Sequence, residues 1–89
     1  MSVLADLVAS LRASGVTAAL VREDDDSGFA WAELGDNAAS IDYAFDDDLG
    51  GWVARVSASG CIDVELRPTA GELYGLVCRG LGLPADARN

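Results

Sequence analysis

Between Val16 and Arg67, every run able to form regular structure is cut by a Gly- or Asp-containing turn within six or seven residues. Runs that short are below ordinary helix length. The turns between them are also too short for a crossover to a parallel neighbour, which needs about a dozen residues or more. The runs are Val16–Arg22, Phe29–Leu34, Ser40–Phe45, Trp52–Ser57 and Cys61–Arg67. They are separated by Glu23–Gly28, Gly35–Asn37, Asp46–Gly51 and Ala58–Gly60. Ser40–Phe45 alternates, with Ile41, Tyr43 and Phe45 on one face and Asp42 and Ala44 on the other. Cys61–Arg67 alternates as well, and the pattern predicts Ile62, Val64 and Leu66 inward and Asp63, Glu65 and Arg67 outward.

Two helical patterns flank these runs. Val3, Leu4, Leu7, Val8 and Leu11 recur at helical spacing, with Ser2 placed as N-cap and Gly15 as stop, so a helix is predicted over about residues 3–14. Pro68-Thr69 ends the last strand run, and Thr69 with Glu72 forms a capping-box signature. Leu73, Leu76, Val77 and Leu81 make the apolar stripe of a second helix, ended by Gly82 and Pro84.

Short turns between consecutive strands favour an antiparallel meander. The expected architecture is α+β: a two-layer sandwich in which about five strands carry an N-terminal and a C-terminal helix on one face. The polar residues assigned to the outward side of the third and fifth strands predict that the other face is solvated. At 89 residues the chain is expected to be one domain, residues 1–89, with 84–89 a frayed tail.

The net charge of −9 is concentrated. Residues 23–48 hold ten carboxylates and no base, whereas residues 1–22 and 49–89 are nearly balanced. Alternate turns of a meander lie at the same end of the sheet. Glu23, Asp24, Asp25 and Asp26 should therefore gather with Asp46, Asp47 and Asp48 at one pole, within roughly 10–15 Å given the spacing of residues and strands. Trp52, following Gly50-Gly51, stands at that pole. Exposed turns are commonly Asp-rich for local reasons, and strand aromatics commonly fill a core, so solubility and packing are the bland readings. Concentrated like charge opposes folding, however, and an aromatic beside it can anchor a basic protein surface.

The chemistry of catalysis is sparse. The chain has no His and no Lys, which removes the commonest general base, the commonest metal ligand and Schiff-base chemistry. No phosphate-binding glycine motif or nucleophile elbow occurs. Cys61 and Cys78 alone do not suggest a zinc site, and packing is the expected role of both. An EF-hand register on Asp24 puts Phe29 at the glycine position and Gly35 at the bidentate position, and a register on Asp46 puts Ser57 there. Both fail, so neither a metal site nor a cofactor is assigned.

The expectation is a non-catalytic, cytoplasmic protein-interaction module. Its negative pole, formed by Glu23, Asp24, Asp25, Asp26, Asp46, Asp47, Asp48 and Trp52, is expected to bind a basic or nucleic-acid-binding protein. A specific form is a nucleic-acid mimic serving as an inhibitor. The Arg-only basic residues and Ala/Gly/Val/Asp-rich composition resemble coding from a GC-rich genome, such as an actinobacterium or its phage. The acidity argues against direct contact with nucleic acid or anionic membrane. Two alternatives are a divalent-cation domain using the two Asp-rich turns, and a small assembly subunit. The latter would bind through apolar or edge-strand contacts, a homodimer included.

Overall fold

The computed structural model describes residues 2–24, 27–58 and 60–82, and the expected tail at 84–89 lies outside them. Its elements are α1 (Val3–Ala13), β1 (Thr17–Glu23), β2 (Ser27–Leu34), β3 (Asn37–Asp46), β4 (Gly51–Ala58), β5 (Cys61–Leu66) and α2 (Ala70–Gly80). The strands form one antiparallel sheet in the order β1-β2-β3-β4-β5, the expected α+β meander. β2, β3 and β4 extend into residues read from sequence as turns, because cross-strand pairing continues to Ser27–Ala44, Leu34–Asn37 and Asp46–Gly51.

Both helices begin at capped ends. The Ser2 hydroxyl accepts the Ala5 N–H at 2.9 Å. Thr69 Oγ1 accepts the Glu72 N–H while Glu72 accepts the Thr69 N–H, so the capping box is complete. Leu4, Leu7, Val8 and Leu11 of α1 and Leu73, Tyr74, Val77 and Cys78 of α2 are buried. The Ser14 and Tyr74 hydroxyls bond to each other across the two helices.

The core divides its volume unequally. The sheet's buried contribution is mostly small (Ala18, Ala30, Ala32, Ala39 and Ala54), with Ile41 and Val56 among the exceptions. The helices supply the leucines. Small residues on the sheet let large helical side chains reach its backbone, which is how a short chain attains interior packing density. Gly28 shows how close that approach is: a Cβ there would lie 2.7 Å from Leu4 Cδ1.

The orientation predicted for β5 is overturned. Ile62, Val64 and Leu66 were expected inward, but they lie on the face away from the helices and are 66%, 53% and 47% exposed. Asp63 sits instead on the helix side, opposite buried Val56. The reason is hairpin parity. Ala58 faces the helices, Cys61 pairs directly with it, and directly paired residues share a face, so Cys61, Asp63 and Glu65 must follow. The helix-free face is consequently less polar than expected: it carries Phe29, Trp31, Val53 and the β5 apolar row beside Asp42 and Arg55. Cys61 is exposed rather than packed, whereas Cys78 is buried as expected; both are free thiols.

Candidate functional site: the acidic–aromatic pole

The β1–β2 and β3–β4 turns do share one end of the sheet. Glu23 pairs with Gly28, and Gly28 with Tyr43, only three residues before Asp46. Two strand spacings across and three residues along place Glu23 and Asp46 about 14 Å apart. Asp25 and Asp26 lie outside the described residues.

The acids differ in local duty. Asp24 closes its turn by donating its N–H to the Ser27 carbonyl at 2.7 Å. Its carboxylate lies 3.7 Å from Arg22 Nε, with both side chains more than half exposed, so the pair contributes little stability. Asp46 accepts the Leu49 N–H at 3.1 Å and so shapes the β3–β4 turn. Asp47 and Asp48 are exposed at its tip.

Two arginines border the pole, and sequence reasoning missed them in that role. Arg22 reaches Asp24. Arg67 arrives from the end of β5, donates to the Gly50 carbonyl at 2.7 Å and packs over Gly51, where a Cβ would lie 2.7 Å from its Nε. Segment charge hid both, since Arg22 and Arg67 belong to stretches that balance on their own. The register across β4–β5 also places Glu65 in the same sheet row as Glu23.

Trp52 is half-buried and is not part of the buried core cluster. It stacks on Tyr43 with ring centroids 4.9 Å apart and meets Phe45 edge-on at 5.8 Å. Phe45 and Trp52 are direct cross-strand partners, and Tyr43 lies two residues before Phe45 on the same face. Tyr43 and Trp52 line an open pocket of about 460 Å³ with Glu23, Asp24, Ser27, Gly28 and the first turn of α1. The aromatics are thus mostly outside the core: of the six, only Tyr74 is buried.

Burial raises the Tyr43 hydroxyl above its ordinary value of 10.0. The folded protein therefore holds that proton in a range where the unfolded chain has released it, and stability falls as pH rises past about 10. Thermal unfolding followed from pH 9 to 11 should show this decline, and Tyr43→Phe should make it shallower. An equal slope in the variant would assign the decline to other groups.

Among the described residues, no group of three Cys, Asp or Glu side chains converges as a metal site. No described helix is long and apolar enough to cross a membrane. Comparison with protein-family models, curated proteins and solved structures finds no match to this chain.

Proposed function

We propose that this protein is a non-catalytic interaction module of the cytoplasm whose acidic–aromatic pole binds a basic surface on a partner protein. The observation that carries this reading is the position of Trp52. It is stacked on Tyr43, half-buried, and lines an open pocket together with Glu23 and Asp24, beside the turn that bears Asp47 and Asp48. A preorganised aromatic next to carboxylates suits a guanidinium or ammonium group, through ring-face attraction and charge together. In the narrower form of the proposal the partner is a nucleic-acid-binding protein, and the carboxylates stand where phosphates would.

The test is capture of partners from a GC-rich bacterial lysate, with elution in salt steps. Three proteins are compared: the wild type, a variant with Asp24, Asp25, Asp26, Asp46, Asp47 and Asp48 all replaced by Asn, and Trp52→Ala. The expected result is a basic partner released at moderate salt, lost by about tenfold or more with the six-Asn variant, and bound with a flattened salt dependence. Trp52→Ala should weaken binding while leaving the salt dependence unchanged. Undiminished capture by the six-Asn variant would refute the proposal.

A further inference from the structure

β5 ends the sheet, and its outer edge has an ordered pattern. The Arg67 N–H donates to the Trp52 carbonyl at 2.7 Å. Peptide groups alternate in direction along an antiparallel ladder, so Glu65, Asp63 and Cys61 also turn theirs toward β4. Ile62, Val64 and Leu66 therefore direct their N–H and C=O groups away from the sheet. The same three residues carry exposed apolar side chains on the helix-free face, while exposed Asp63 and half-buried Glu65 occupy the other face.

We propose that this edge docks an extended segment of a partner protein in which basic and apolar residues alternate. Such a strand would complete the ladder at Ile62, Val64 and Leu66. It would extend the apolar row on the helix-free face and set Lys or Arg beside Asp63 and Glu65 on the other. In the registers that pair most of β5 with itself, charge decides against a second copy of this chain. Antiparallel self-pairing centred on Asp63 opposes Asp63 to itself, and pairing centred on Val64 opposes Asp63 to Glu65 twice over. The two acids thus act against self-association along an otherwise adhesive edge while selecting a basic strand. Glu65 lies in the sheet row that also carries Glu23 of the acidic–aromatic pole, but the edge reading rests on Ile62, Asp63, Val64 and Leu66 and does not depend on that proposal.

The experiment titrates the isotope-labelled full chain with three capped peptides: alternating Lys and Val, the same residues in two blocks, and alternating Glu and Val. It is done near physiological ionic strength, where general attraction is screened beyond about 8 Å. The alternating Lys–Val peptide should bind at least about tenfold tighter than the block peptide, since it alone matches both faces at once. Amide shifts and exchange protection should centre on Ile62, Val64 and Leu66. The double variant Asp63→Lys, Glu65→Lys should reverse the preference toward the Glu–Val peptide, a gain that misfolding cannot mimic. The six-Asn variant should retain the Lys–Val interaction, so the two proposals fail separately. Equal affinity for the block peptide, shifts centred on residues 46–52, or β5-mediated dimerisation without peptide would each overturn the proposal.

Discussion

Ile41→Ala is expected to lower the stability of this protein by about 2–5 kcal/mol. Ile41 is fully buried on the central strand, between Ala30 of β2 and Val56 of β4, with both helices packed above the sheet. Its neighbours across the β2–β3 ladder are mostly alanines, too short to fill a vacated space. The helices cannot settle into it freely either, because backbone already meets side chain closely where Gly28 faces Leu4. The loss should therefore fall toward the upper part of that range. For a domain of this size the full range of about 2–5 kcal/mol corresponds to a fall in Tm of roughly 8–40 °C. Denaturant titration checks it: the midpoint should fall while the slope stays constant. A loss below about 1 kcal/mol would mean that the layers can close on the cavity, contrary to this account of the packing.

The second large effect is a contrast within one helix. Gly75→Ala and Gly80→Ala make the same change five residues apart in α2, and they should move stability in opposite directions. A Cβ at Gly75 meets nothing within 4 Å. Alanine there gains helix propensity and restricts the unfolded chain, a stabilisation of about 0.5–1 kcal/mol. A Cβ at Gly80 would collide with Ala58 Cβ, a side chain with no rotamer to yield, so α2 and β4 must part. Overpacking of that kind costs about 1–3 kcal/mol, more than the propensity gain at a helix end. Paired thermal melts of the two variants should straddle the wild type. If Gly80→Ala melts at or above it, the helix–sheet approach at Ala58 is not tight.

Much of this architecture was legible in the chain. The 3.6-residue recurrence of Leu4, Leu7, Val8 and Leu11, and the Thr69–Glu72 capping box, announced both helices within a residue or two. Turn residues every six or seven positions announced five antiparallel strands, because no connection between them could reach a parallel neighbour. The gathering of the two acidic turns at one end followed from the meander alone.

Which side of β5 faces the helices could not be read from β5. Alternation states that Ile62, Val64 and Leu66 share a face and that Asp63 and Glu65 share the other, and burial of the apolar set is the natural expectation. The pairing of Ala58 with Cys61 decides the matter the other way, since it ties β5 to a parity already set by β4 under α2. The surroundings of the acidic pole were hidden for a similar reason. Arg67 is remote in sequence from Gly50 and Gly51, and only the return of β5 along β4 brings its guanidinium onto that turn. Local periodicity and turn length were enough to set the elements, their order and the end at which the acid collects. Tertiary structure alone decided which faces are covered and which charges and rings meet, because those depend on pairing register between segments distant along the chain.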